Sequence, residues 1–99
     1  MSIDDWRTEI DAVDSELLRL LNTRARLAIK VGESKQQMGL TLCDPGREQE
    51  VIERACRRNQ GPLDERAVAK LFRRIIRESR RVEAGVMEPT NLRQEGVRP

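Results

Sequence analysis

The first third of the sequence carries one continuous helical pattern of apolar residues. They recur mostly at steps of three and four, and they are Trp6, Ile10, Val13, Leu17, Leu20, Leu21, Leu27, Ala28 and Val31. Residues at this spacing share one face of an α-helix. No proline interrupts the run, and Gly39 is the expected stop. The pattern predicts a helix of about 34 residues, roughly 50 Å long.

Such a helix is too long for a chain of 99 residues to cover by itself. A compact monomer of this size has a radius of gyration of only about 13 Å. Because the apolar stripe continues along nearly the whole helix, we expect a second copy of the chain to cover the remainder. The sequence therefore predicts a homodimeric helix bundle.

Two shorter helices are predicted after a loop at residues 40–44. Asp44-Pro45 is a typical helix start, with Asp at the N-cap and Pro in the first turn. Asp64 is the expected N-cap of the third helix. The periodicity ends near residue 85, so the fold class is all-α, with one long and two shorter helices.

The domain organisation follows from the same pattern. Residues 1–85 are predicted to form a single helical domain, and residues 86–99 a flexible tail, because Gly, Pro and polar residues dominate there. Aromatic residues make up only 2% of the chain, so the core must be built from aliphatic side chains.

Charge and residue usage exclude several classes of function. The net charge of +2 gives no general basis for binding nucleic acid or membranes. The chain contains no histidine, which excludes histidine-based acid–base chemistry and metal ligation. Cys43 and Cys56 lack metal-type spacing, and we interpret them as reduced thiols of a cytoplasmic protein. No apolar run is long enough for a signal peptide or membrane span, so we expect neither export nor membrane insertion.

Two cations lie within the apolar stripe of the first helix. At about 100° per residue, Arg24 and Lys35 fall among the leucines, whereas Arg19, Arg26 and Lys30 fall on the opposite side. An unpaired buried cation costs several kcal/mol or more, so each needs an anionic partner. That partner is either an acid of the second or third helix or a bound anion, and Lys35 has the further option of reaching solvent from the helix end.

Polar residues also lie on the inner faces of the two shorter helices. Arg47 and Glu48 precede the apolar face of the second helix by one turn, beside Asp44; a simple cap with a local ion pair is the alternative. Ser79 and Glu83 continue the apolar face of the third helix, although Glu83 is close enough to the end to fray into solvent. The remaining basic residues of the third helix are predicted on its outer faces, namely Lys70, Arg73, Arg74, Arg77, Arg80 and Arg81. Together, the inward polar residues favour a buried pocket for a small, multiply anionic ligand.

The order of the motifs resembles the AroQ-type, all-helical chorismate mutases over residues 4–84. The resemblance rests on Trp6-Arg7, Ile10 to Asp14, Leu20 to Arg24, Gly32, Lys35, Asp44 to Glu48, and Leu71 to Ser79. It implies an intertwined homodimer that converts chorismate to prephenate in the biosynthesis of Phe and Tyr, without a metal or cofactor. A partner enzyme of the shikimate pathway is left open.

The resemblance also implies roles for individual residues. Arg7 matches the arginine that the partner protomer supplies in trans. Without the resemblance, Arg7 would be interpreted as an ordinary surface arginine, because it lies about 25 Å from Arg24 along the helix. The substrate-binding set is Arg7, Arg24, Lys35, Asp44, Arg47, Glu48, Ser79 and Glu83. The expected catalytic residues within it are Lys35, Arg47, Glu48 and Glu83.

Glu83 departs from the commonest form of the family, in which a glutamine donates to the ether oxygen of the substrate. An ionised Glu83 would repel that oxygen, whereas a protonated one would donate to it. Two other functions stay open at this point: an isochorismate-pyruvate lyase on the same fold, and a non-catalytic helical binding module.

Overall fold

The computed structural model of the chain describes residues 1–87. Three α-helices make up nearly all of this part: α1 (Ile3–Met38), α2 (Pro45–Arg58) and α3 (Glu65–Met87). No β-strand occurs among these residues. The prediction of an all-α chain with one long and two shorter helices is confirmed.

Local hydrogen bonds explain where α1 begins and ends. The Ser2 hydroxyl accepts from the backbone N–H of Asp5 at 3.1 Å, and the Asp5 carboxylate accepts from the Ser2 N–H at 2.9 Å. This reciprocal capping box satisfies two otherwise unpaired donors. Gly39 ends the helix with φ of 72°, a left-handed conformation that glycine adopts without steric cost. The predicted stop is confirmed.

The starts of α2 and α3 are also as predicted. Asp44 Oδ1 accepts from the backbone N–H of Arg47 at 3.1 Å, with Pro45 in the first turn. Asp64 Oδ1 accepts from the N–H of Ala67 at 2.8 Å. Each aspartate thus satisfies a backbone donor that has no partner within its helix.

The end of α3 differs from the prediction. The helix continues through Met87, two residues beyond the boundary set at residue 85. Backbone hydrogen bonding can carry a helix past its last apolar contact, so loss of periodicity does not mark its end. The rest of the predicted tail, residues 88–99, lies outside the described residues.

The central element is α3, which packs against both α1 and α2. Buried apolar side chains from all three helices meet there: Ala28 on α1, Ile52 on α2, and Val68 and Ile76 on α3. Gly32 is buried where α1 crosses α3, and a Cβ built on it would lie 3.3 Å from Glu83 Cβ. A glycine at this position therefore lets the two helices approach closely.

Most of the apolar stripe of α1 is exposed in the single chain. Trp6 is 55% exposed, Val13 63% and Leu17 50%, and Ile10, Leu20, Leu27 and Val31 are similarly open. The chain extends over 54 × 36 × 16 Å, so α1 projects past the other two helices. Within residues 1–87, no helix has an apolar stretch long enough to cross a bilayer.

Candidate active site

A cavity of about 290 Å³ lies between the three helices. Its apolar wall comes from residues such as Leu27, Val31 and Ile76. Its polar lining is Arg24, Lys35, Asp44, Arg47, Glu48, Ser79, Arg80 and Glu83. The structure therefore brings together all the sequence-predicted site residues except Arg7.

Arg24 reaches the cavity from the middle of α1. Its Nη1 donates to the Ser79 hydroxyl at 2.5 Å across the α1–α3 interface. No carboxylate of the described residues lies within ion-pair distance of Arg24. The internal salt bridge considered for this cation is thus not formed there, and the hydrogen-bond acceptor of its guanidinium is a neutral hydroxyl.

Lys35 has partners from two other elements. Its Nζ donates to the backbone carbonyl of Leu42 at 2.8 Å, which ties the loop after α1 to the cavity. The same Nζ lies 3.9 Å from Glu83 Oε1, and both side chains are largely buried, at 19% and 13% exposure. For Lys35, then, the alternative of an internal ion pair with an acid of α3 is realised, although loosely.

Glu83 lies on α3 against Gly32 and Lys35. Burial raises the pKa of its carboxyl above the ordinary value, because removal from water disfavours the charged form. The positive charges of Lys35, Arg80 and Arg24 oppose this effect, and the negative charge of Glu48 adds to it. Glu83 was predicted to face the interior of the bundle, and its side chain does line the cavity. It does not extend into solvent from a frayed helix end, which was the alternative.

Arg47 lines the cavity, but its guanidinium group pairs with an acid outside the cavity lining. Its Nη1 donates to Glu50 Oε1 at 2.9 Å, and both side chains are more than half exposed. Exposed pairs of this kind contribute little stability, so Arg47 can leave Glu50 for a ligand at small cost. Asp44 has its side chain engaged in capping α2, at the edge of the same cavity.

Arg80 is a cavity residue that the sequence interpretation placed on the outer face, and that placement is wrong. Its Nε donates to Glu48 Oε2 at 3.2 Å, and its Nη2 bonds the same oxygen. This hydrogen bond raises the pKa of Arg80. The signal was present in the sequence, since Arg80 lies four residues after buried Ile76 and three before Glu83. The predicted inner face of α3 was too narrow, because this helix packs against two helices rather than one.

Arg7 does not line the cavity of its own chain. It lies on the exposed N-terminal part of α1, about 25 Å along the helix from Arg24 at about 1.5 Å per residue. Within one chain the two arginines therefore belong to separate regions.

The arrangement is suited to holding a small anion. Four cationic and three acidic side chains line the cavity, and the pKa of one acid, Glu83, is raised. The volume lies near the lower end of the usual range for small-molecule sites, about 300–1,000 Å³. Arginine forks bind carboxylates in pairs of hydrogen bonds, so a carboxylate-bearing ligand fits this lining best.

Proteins similar to this chain include chorismate mutases, bifunctional proteins that contain one, and a mutase of a related substrate. The bifunctional chorismate mutase/prephenate dehydratase of Aquifex aeolicus is 40% identical over 78 residues, which is 75% of this chain but only 22% of that protein. The chain thus spans about a fifth of such bifunctional relatives. The 4-amino-4-deoxychorismate mutase of Streptomyces venezuelae is 36% identical, over 93% of this chain and 90% of the relative.

Solved structures share the fold. Form II of the Thermus thermophilus chorismate mutase superposes with a TM-score of 0.82 at 36% identity, covering 83% of this chain and 93% of that one. The Helicobacter pylori chorismate mutase, solved in complex with prephenate, gives a TM-score of 0.80 at 28% identity, covering 92% and 97%. Residues 6–84 match the family profile described as chorismate mutase type II. Because that match covers most of the chain, this protein belongs to the chorismate mutase type II family.

Proposed function

We propose that this chain is a chorismate mutase, which converts chorismate to prephenate by a Claisen rearrangement. The observation that carries the proposal is Arg24, a cation inside the cavity whose hydrogen-bond partner is only the Ser79 hydroxyl. A substrate carboxylate would supply the missing anion. Membership of the family supports chorismate as this substrate, since chorismate carries two carboxylates.

The first task of such a site is to hold a flexible dianion in the shape that reacts. The rearrangement is unimolecular, so confinement in a near-attack geometry can supply a large part of the rate. Arg24 and Arg47 are proposed to bind carboxylates, with Arg7 of the second protomer completing the grip. Ser79 orients the Arg24 guanidinium and adds a hydroxyl near the same carboxylate.

The second task is to stabilise negative charge on the ether oxygen as its bond to carbon breaks. Lys35 is proposed to direct its ammonium group to that oxygen, and a protonated Glu83 to donate a second hydrogen bond. The two groups already lie 3.9 Å apart on facing helices, so one substrate atom can contact both. Their fixed positions supply stabilisation without reorganisation during the reaction.

The ring hydroxyl of the substrate is assigned to the acidic end of the cavity. Glu48 is proposed to accept its hydrogen bond, with Asp44 close by at the start of α2. An acceptor at this place recognises a hydroxyl that is remote from the reacting bonds. This acceptor therefore orients the substrate and does not stabilise the charge that develops at the breaking bond.

The site is proposed to be completed in a homodimer. The apolar stripe of α1 is exposed along most of its length, which is typical of an interaction surface, and a second copy would bury it. An antiparallel partner α1 would also bring its Arg7 across the distance that separates Arg7 from Arg24 within one chain. The cytoplasmic location inferred from the two free cysteines stays a prediction.

The metabolic setting follows from the relatives. Bifunctional proteins that pair a chorismate mutase with a prephenate dehydratase support a role in aromatic amino-acid biosynthesis. We propose that the prephenate made here is passed to the enzymes that complete Phe or Tyr, and that a shikimate-pathway enzyme is a candidate partner.

Parallel incubations separate the mutase from a lyase on the same fold. Purified protein is given chorismate in one reaction and isochorismate in another, and products are identified by proton NMR. We expect prephenate from chorismate and no pyruvate from isochorismate. Pyruvate release from isochorismate with chorismate left intact would assign the lyase instead.

A further inference from the structure

The Glu48–Arg80 ion pair connects α2 to α3 at the wall of the cavity. Both Arg80 donors bond one oxygen of the carboxylate, Oε2. Among the described residues, Glu48 Oε1 accepts no hydrogen bond. A carboxylate has about four acceptor positions, so Oε1 stays available for a ligand while Oε2 is held.

Relatives of this chain differ in the group that the acidic end must recognise. The relative from Streptomyces venezuelae carries 4-amino-4-deoxychorismate in its name, a molecule with an amino group where chorismate has its ring hydroxyl. An aliphatic amine is protonated near neutral pH, whereas a hydroxyl is neutral. The two substrates therefore differ by one positive charge at the position assigned to Glu48.

We propose that Arg80 is a specificity-determining positioning residue: by pairing with Glu48 Oε2, it leaves Oε1 to accept from a neutral ring hydroxyl and disfavours a ring ammonium. This inference rests on the proposed function and on the assignment of Glu48 to the ring end of the substrate.

The charges around the pair support this assignment. An isolated carboxylate would attract an ammonium group more strongly than a hydroxyl. With its charge matched by Arg80, Glu48 loses most of that excess attraction but keeps its capacity as an acceptor. The guanidinium of Arg80, which lines the same cavity, also repels a cation directly.

The test compares kcat/KM for chorismate and 4-amino-4-deoxychorismate in wild-type protein, Arg80→Met and Arg80→Lys. Arg81→Met is the matched control, because Arg81 is the next residue of α3 and pairs with exposed Glu78 outside the cavity. We expect Arg80→Met to shift the ratio of the two kcat/KM values toward the amino substrate by roughly tenfold or more, the scale of a charged hydrogen bond. Arg80→Lys should retain most of the wild-type ratio, and Arg81→Met all of it.

The same measurements in the Glu48→Gln background show whether Arg80 acts through Glu48. We expect Arg80→Met to have little further effect on the ratio there. An equal rise in KM for both substrates, in both backgrounds, would overturn the proposal, since it would mean that Arg80 contacts a substrate carboxylate directly. An unchanged ratio in a variant with wild-type circular dichroism and thermal unfolding would also overturn it. Absence of chorismate turnover in the wild type is a separate result, which contradicts the proposed function itself.

Discussion

Lys35 is the side chain whose removal should cost the most turnover for the least disturbance of the fold. Truncation to Ala deletes the ammonium proposed to meet the ether oxygen, and loss of one such electrostatic donor typically lowers kcat by about 10²–10³-fold. Its structural contacts are one hydrogen bond to the Leu42 carbonyl, worth about 1 kcal/mol, and the loose ion pair with Glu83 at 3.9 Å. Steady-state kinetics and thermal unfolding of Lys35→Ala measure both effects.

Lys30→Ala is the control for that variant, since Lys30 is an exposed lysine of the same helix. It should keep wild-type kcat. Turnover by Lys35→Ala close to that of the control would remove Lys35 from the mechanism.

Glu83 gives the site a dependence on pH. Only the protonated carboxyl can donate to the ether oxygen, and burial raises its pKa above the ordinary range. As pH rises through that raised pKa the donor is lost, so kcat/KM should fall at a pH above the ordinary titration range of a glutamate. Glu83→Gln keeps a donor at every pH and should lack the decline, as kcat/KM profiles of both proteins will show.

The exposed acid Glu78, on the same helix, supplies the comparison for that profile. Glu78→Gln should reproduce the wild-type decline, because Glu78 pairs with Arg74 and Arg81 away from the cavity. Coincident profiles for wild type and Glu83→Gln would show that Glu83 is not the donor.

Single-residue predictions from sequence succeeded where periodicity fixes direction. Arg24 and Lys35 were identified because each replaces an apolar residue within a regular stripe, and both line the cavity. Arg80 was misplaced because periodicity places a Cβ, not the end of a long side chain, and because α3 packs on two sides. The ion pair of Arg47 with Glu50 depends on rotamers, which no sequence pattern specifies.

At the level of helices, the close approach of α1 and α3 depends on Gly32. Gly32→Ala should destabilise the protein by about 1 kcal/mol, since overpacking by one methyl commonly costs about 1–3 kcal/mol and the better helix propensity of Ala returns about 1 kcal/mol. The added Cβ would lie 3.3 Å from Glu83 Cβ and 3.5 Å from its Cα, so α3 itself must move. Urea unfolding at fixed protein concentration measures the change.

Gly46 offers the contrasting substitution. A Cβ there meets nothing nearer than Asp44 Oδ1 at 3.8 Å, an ordinary contact. Gly46→Ala should therefore leave the free energy of unfolding unchanged or raise it by about 0.5 kcal/mol. A Gly32→Ala protein as stable as Gly46→Ala would argue against the close approach.

The boundaries of the helices were largely predictable because their signals are local. Asp44, Asp64 and Gly39 act through hydrogen bonds and backbone conformation within a few residues. The end of α3 was not, since the prediction placed it where the apolar periodicity stops, whereas the helix continues through Met87. How α3 lies between its neighbours is a tertiary property that periodicity along one helix cannot supply.

For the molecule as a whole, the proposed dimer places Arg7 and Arg24 of one site on different chains. Arg7→Ala and Arg24→Ala should each be nearly inactive as pure proteins. Mixed, unfolded and refolded together in equal amounts, they should regain about a quarter of wild-type activity, because half of the dimers are mixed and each of these holds one intact site.

Refolding each variant alone provides the baseline for the mixture. No recovery in the mixture, with dimers present by sedimentation equilibrium, would place both arginines in the site of a single chain. The sequence predicted a second copy from the length of the first helix and from the apolar stripe that continues along it, and most of that stripe is exposed in the single chain.

The central claim is that the cavity between α1, α2 and α3 rearranges chorismate. The most direct measurement follows the loss of chorismate absorbance with purified wild-type protein and identifies the product. We expect saturable, protein-dependent consumption with prephenate formed in equal amount and no added metal or cofactor. Consumption no faster than in buffer, by a protein that is folded and dimeric, would contradict the claim.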